Sequence, residues 1–228
     1  MRAILFGSRE LAPGTRHFDF EVESPGVLKF LPGQFISLKH TIDGKEMTRA
    51  YSLASPPDGN RFALCLNLVP HGHFSNYLFG LDPGAAIDMA EPLGFFTLRD
   101  TRRDAVFIAT GTGIAPFRSM LLHHLAGATE KITLLFGCRY PHTLLYREEL
   151  EGLTRSHANF TLIETVTRPD GEWQGRTGRV QGHLDEVLSG RADVDVYICG
   201  LKEMVDDVRA LLKQRGFDRK HIIYEKYD

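Results

Sequence analysis

The sequence predicts two folds joined in one chain of 228 residues: an N-terminal antiparallel Greek-key β-barrel, then a doubly wound α/β unit around a five-stranded parallel sheet. Three observations predict it. Up to about Leu98, short apolar runs alternate with period two between turn signals. From about Ala105 the runs become wholly apolar and alternate with helical patterns, as strands buried on both faces do. Between the two lies the polar stretch "LRDTRRD", Leu98 to Asp104, which places the domains at 1–100 and 101–228.

In the first half, "HFDFEVE" alternates over Phe18, Phe20 and Val22, and "SPG", "LPG" and "IDG" are turns. The runs "GQFISLKH", "MTRAYSL" and "RFALCLNLV" read as further strands, and "HFSNYLFG" as one short helix. Antiparallel strands with a single small helix suggest closure into a barrel, which removes exposed edges. In the second half "AVFIAT", "ITLLFG", "FTLIETV", "VDVYICG" and "HIIYEKY" are the strands, separated by "APFRSMLLHHLAG", "LLYREELEGLTR" and "KEMVDDVRALLKQRG" as helices. A ligand site is expected at the C-terminal ends of such strands and at the junction of the halves.

Composition narrows the function classes. A hydrophobic content of 43% supplies a core to each half. There is no apolar run of about 18 residues and no secretory h-region, so the sequence points away from membrane insertion and export and toward the cytoplasm. A net charge of −2 argues against bulk nucleic-acid binding. Cys65, Cys138 and Cys199 lie far apart in no CxxC pattern, which offers neither a disulfide framework nor a metal site. A cluster needing four thiolates has no home in this chain.

"AVFIATGTGIAPFRSML" sets Gly111, Thr112 and Gly113 between a buried strand and a helix. Glycines there allow a tight turn and bring backbone N–H groups close to a pyrophosphate, while Pro116 suits a first helical turn. The turn is neither GxGxxG nor a Walker loop. "VYICGLKEM" repeats the arrangement, with Cys199 and Gly200 at the strand's end. On position alone Cys199 reads equally as a small core residue or as the wall of a ligand crevice.

Taken in order, "LPGQF", "RAYS", "GHFS", "EPLGFF", "GTGIAP", "CGLKEM" and "YEKYD" resemble the ferredoxin–NADP reductase superfamily of flavoproteins across essentially the whole chain. The resemblance implies FAD and NADP(H), with NAD(H) as the alternative coenzyme. It also implies that the strand of Arg49, Ala50, Tyr51 and Ser52 holds the flavin: Arg49 on the pyrophosphate, Tyr51 on the ring, Ser52 near N5. The residue types suit those tasks, since a guanidinium fork matches phosphate oxygens and an aromatic face buries a flat ring. Gly72 and Ser75, with Phe74 between them, resemble a second flavin contact, and Leu66 and Leu68 lead into it. One departure is Glu91 where the family often has glycine.

In the second half the resemblance has Gly111, Thr112 and Gly113 cradle the dinucleotide, with Cys199 and Gly200 bordering the nicotinamide. Ser52 and Glu225 would orient the reacting rings, and Tyr227 would cover the open flavin face, although Asp228 follows it here. NADP is favoured by Thr167 and Arg168 after the third parallel strand, with Arg176 or Arg179 as a second fork and Tyr146 stacking on adenine. The function implied is a flavin-dependent reductase that takes a hydride from NADPH and passes single electrons to a separate carrier: a ferredoxin, a flavodoxin or an oxygenase component. Arg99, Arg102 and Arg103 are candidates for docking it, or ordinary solvated charges. Competing readings are a free-flavin reductase and a non-catalytic flavin-binding subunit.

Overall fold

The computed structural model describes every residue except Pro25, Asp43, Asp100, Thr101, Arg102 and Asp228. The expected domain boundary, the docking role of Arg102 and the terminal Asp228 therefore lie outside the described residues. The chain divides into two compact units: Met1–Leu98 with Ala115–His123, and Arg99–Ile114 with His124–Asp228.

In the first unit the strands are β1 (Arg2–Ala12), β2 (Thr15–Val22), β3 (Phe35–Ile42), β4 (Lys45–Ser52) and β5 (Arg61–Asn67), then helix α1 (His73–Phe79) and strand β6 (Ala86–Met89). Their order in the sheet is β4-β3-β6-β1-β2-β5, and every pairing is antiparallel. Period-two alternation makes these strands two-faced: Ile36 and Leu38 of β3, Phe18 and Phe20 of β2 and Phe62 and Leu64 of β5 all point into one core. The helix closes that core with Phe74 and Leu78. At the sheet's ends, Leu53 and Leu64 form an antiparallel bridge. The segment Ala115–His123 joins this unit through Arg118 Nη1, which donates to Ala54 O at 2.6 Å, and Ser119 Oγ, which donates to Ser55 O at 2.6 Å.

The second unit contains β7 (Ala105–Thr110), α2 (Ile114–His124, shared with the first unit), β8 (Ile132–Cys138), α3 (Arg147–Ser156), β9 (Phe160–Val166) and β10 (Arg176–Thr177). It is completed by α4 (Leu184–Leu188), β11 (Asp195–Leu201), α5 (Lys202–Gln214) and β12 (Ile222–Tyr227). The order β10-β9-β8-β7-β11-β12 is parallel throughout. Its six strands correct the expectation of five: the two-residue β10 pairs with Thr165 and Val166 and is too short to leave a hydrophobic period. Helix α3 starts later than its apolar pattern suggests, because Tyr146 before it adopts a left-handed conformation at φ 57°. The chain winds outward from β7 through β8 to β10 and returns on the other side with β11, so the turn after β7 sits at the topological switch point.

Candidate functional site

In the first unit the candidate residues ride on β4. Arg49 pairs with Leu38 and Tyr51 with Ile36, which places the guanidinium-bearing and ring-bearing positions on the face that α1 covers. Tyr51 is half-buried, its ring centroid 6.3 Å from that of Phe74, and burial pushes its phenol up to about 12 against the opposing charge of Arg49. Arg49 is exposed and its Nη1 donates to Thr48 O at 2.8 Å. Ala50 is exposed and Ser52, on the same face at the end of the strand, is buried.

The loop into α1 is held from within. Ser75 Oγ accepts from the Val69 N–H at 3.0 Å and donates to Gly72 O at 3.3 Å, so its hydroxyl shapes the turn. Phe74 and Leu66 belong to the core, while Leu68 is partly exposed beyond β5. Glu91, the departure from the family pattern, is exposed.

In the second unit the candidate site is made of backbone. Gly113 and the end of β11 touch so closely that a Cβ on Gly113 would fall 2.3 Å from Cys199 O. A Cβ on Gly200 would fall 2.4 Å from Thr110 Oγ1 and 2.7 Å from Met204 Cε, and its φ of 152° disfavours a side chain in any case. Thr110 Oγ1 is itself buried and, among the described residues, unpartnered. The turn after β7 is thus seated directly on the end of β11, while the space beside Gly111, where a Cβ would meet nothing within 4 Å, stays open at the start of α2 and fits a dinucleotide.

Cys199 is fully buried, and burial first, then the nearby Glu225 charge, pushes its thiol well above the usual range. The Tyr227 side chain hydrogen-bonds it and pulls the other way, consistent with the register Cys199↔Glu225 and Leu201↔Tyr227. The thiol is thus neutral and poorly nucleophilic. Cys138, at the end of β8, is likewise driven up to about 11 by burial, although Gly111 and Leu145 backbone groups and the Thr143 side chain bond it.

At the end of β9 the Arg168 N–H donates to Arg139 O at 2.7 Å, and Arg168 Nη1 donates to Tyr140 Oη at 3.1 Å. The Tyr140 ring stacks on His142 with centroids 5.3 Å apart. Thr167 is exposed beside Arg168, and its N–H bonds Cys138 O at 3.1 Å. Tyr146, expected to stack on adenine, is instead buried, with 8% of its surface exposed, whereas Tyr140 is partly exposed beside Arg168. The sequence reading missed Tyr140 and His142; the run "RYPHT" directly after a buried strand was the signal. Arg176 is clamped by Glu186, its Nε donating to both carboxylate oxygens at 2.8 Å, whereas Arg179 is exposed.

Residues 3–98 match the family described as oxidoreductase FAD-binding domain, and residues 107–210 that described as oxidoreductase NAD-binding domain. Ferredoxin–NADP reductase B of Sorangium cellulosum is 41% identical over 237 residues, which cover 99% of this chain and 97% of the relative. The toluate 1,2-dioxygenase electron transfer component of Pseudomonas putida is 30% identical, covering 99% of this chain and 67% of the relative. Among solved structures, a ferredoxin NADP+ reductase from Neisseria gonorrhoeae with bound FAD and NADP shares the fold, with TM-score 0.85 at 23% identity over 99% of this chain and 98% of that one.

Proposed function

The chain belongs to the FAD/NAD(P)-binding ferredoxin–NADP(+) reductase superfamily, and from that premise we propose a role for each residue of the candidate site. The protein is a flavin-dependent NAD(P)H oxidoreductase that hands electrons to a separate redox carrier, and its cofactors are FAD and NAD(P)H. The observation that carries this reading is a single likeness running through both units, from the antiparallel sheet to the end of the parallel one.

We assign residues 1–100 to flavin binding and 101–228 to nucleotide binding, with the first sheet closed into a Greek-key barrel. The Leu53–Leu64 bridge and the Ala54 N–H bond to Ala63 O at 2.8 Å support the closure. When bound, the flavin supplies a group that accepts a hydride and releases electrons one at a time. Arg49 contributes a guanidinium to its pyrophosphate and Tyr51 a ring face, while the Gly72 turn, braced by Ser75, presents backbone to it. Ser52 hydrogen-bonds the reacting edge of the flavin. In the other unit the Gly111–Gly113 amides hold the dinucleotide, with open space beside Gly111, and the absent Cβ atoms at Gly113 and Gly200 let that turn pack directly on the end of β11. Cys199, neutral and hydrogen-bonded by Tyr227, borders the nicotinamide, and Glu225 orients it.

We infer NADPH over NADH, because the exposed Arg168, with Thr167 beside it and Tyr140 and His142 stacked next to it, offers a cation and an aromatic face together. Arg179 is a second exposed cation; Arg176 is neutralised by Glu186. The carrier is of the ferredoxin, flavodoxin or oxygenase-component kind. No described helix is long and apolar enough to cross a membrane, and the cytoplasm is the compartment we propose, because the three cysteines follow no disulfide-framework spacing.

The visible spectrum of the purified protein before and after anaerobic NADPH, with NADH in parallel, tests the reading. Flavin bands bleached faster by NADPH support it. A colourless protein that nonetheless reduces added flavin would assign it instead to the free-flavin class.

A further inference from the structure

A cavity of about 410 Å³ lies in the second unit, between α3, β9 and the loop before β10, lined by Arg147, Glu151, Thr154, Phe160, Leu162, Glu164 and Trp173 among others. Arg176 also lines it; the other lining residues have no part in the cofactor site described above. Its chemistry is uneven. Phe160 and Leu162 give it an apolar floor, and Trp173, the chain's single tryptophan, gives it an aromatic wall held by an Nε1–H bond to Arg176 O at 2.9 Å. Arg147 crosses the mouth, its guanidinium carbon 5.2 Å from the Trp173 ring centre.

The polar atoms do not balance. Arg147 Nε donates to Glu164 Oε2 at 3.1 Å and lies 3.2 Å from Glu151 Oε1, so one cation serves two carboxylates. The Glu164 side chain is only 11% exposed, and its Oε1 is buried with no hydrogen-bond partner among the described residues. An acceptor buried in this way is costly until a donor reaches it. Arg176, at the same rim, directs its Nε and Nη2 to Glu186, which neutralises its charge. One carboxylate charge therefore stands in excess, beside an aromatic wall and over an apolar floor.

We propose that this cavity binds a guanidinium group, carried by a small molecule or by an arginine side chain of a partner protein, whose N–H fork pairs with the Glu151 and Glu164 carboxylates. A planar fork meets two carboxylates more completely than a compact ammonium does, and its stem lies over Phe160 and Leu162. Burial already biases the Glu164 carboxyl toward its neutral form, with Glu151 adding to that bias and Arg147 opposing it; an arriving cation shifts it back toward the carboxylate.

Trp173 reports on the site directly, because no other tryptophan contributes to the emission. The flavin-loaded protein is titrated with agmatine while Trp173 fluorescence is followed, with n-butylamine and sodium acetate as controls, and then with end-blocked Gly-Arg-Gly. The expected result is a saturable change with agmatine, absent with acetate, and weakened about tenfold in Glu164→Gln and less in Glu151→Gln. Both variants keep the flavin spectrum and the rate of NADPH reduction, which shows that they fold. Tighter binding of the peptide than of agmatine assigns the group to a partner protein, and the reverse to a small metabolite. A response that never saturates, that is equal in wild type and Glu164→Gln, or that butylamine reproduces at the same affinity overturns the proposal.

Discussion

In the function proposed above, the β4 residues and the residues at the ends of β7 and β11 would each hold a diphosphate-bearing cofactor, and they are built by opposite means. On β4 the candidates are side chains: Arg49 is exposed and Tyr51 is half-buried, both on one face of the strand. At β7 and β11 the candidates are backbone, packed so closely that Gly113 and Gly200 leave no room for a Cβ. The contrast teaches where each region is fragile. A side-chain site loses affinity in proportion to the hydrogen bonds removed, whereas a backbone site fails sterically once any atom is added.

The largest expected effect is that of Gly113→Ala. Its Cβ would collide with Cys199 O, a backbone atom that cannot swing away, at a cost of about 1 to 3 kcal/mol or more. The variant should retain flavin yet reduce it slowly at any NADPH concentration, with a lowered thermal midpoint. Normal coenzyme kinetics would break the contrast.

A pH prediction isolates the first unit. His17 is buried, and burial, aided by Arg9 and Arg118 and opposed by Asp19, drives its imidazole down to about 4. Below the ordinary value of 6.5 the unfolded chain binds a proton that the folded one does not. This unit is therefore fully stable above that pH and loses on the order of 3 kcal/mol as pH falls from 6.5 toward 4. Denaturant melts across that range should show the loss, and His17→Gln should flatten it.

Arg49→Ala removes charged hydrogen bonds worth about 1.5 to 3 kcal/mol, so flavin retention should weaken roughly ten- to a hundredfold, measured by equilibrium dialysis. The fold should be untouched, because the side chain is exposed. Smallest in scope is Arg168→Ala, which should raise KM for NADPH about tenfold and leave that for NADH nearly constant. Equal effects on both coenzymes would remove Arg168 from 2′-phosphate recognition.

Much of this contrast is legible in the primary structure, and the reason differs by region. The strands "HFDFEVE" and "RFALCLNLV" and the turn "GTG" announce themselves through local periodicity and glycine spacing, and they appear as β2, β5 and the turn after β7. Tyr140 beside Arg168 has no such local mark. Their meeting depends on the parallel register Cys138↔Val166 between β8 and β9, set by packing over the whole sheet. Phe74, expected between Gly72 and Ser75 at a second flavin contact, is turned by α1 into the core of the first unit.

The sequence by itself therefore determined the two halves, the switch of period near the hinge, the Arg-x-Tyr-Ser strand and the glycine turn, because each depends on residues within a few positions of one another. Only the tertiary structure decided that a two-residue β10 adds a sixth strand, that Ala115–His123 groups with the first unit, that Tyr146 is buried and Tyr140 partly exposed, and that Glu164 keeps an unsatisfied oxygen. Each of these follows from contacts between residues distant in the chain, whose burial and pairing are settled by the assembled core rather than by local pattern.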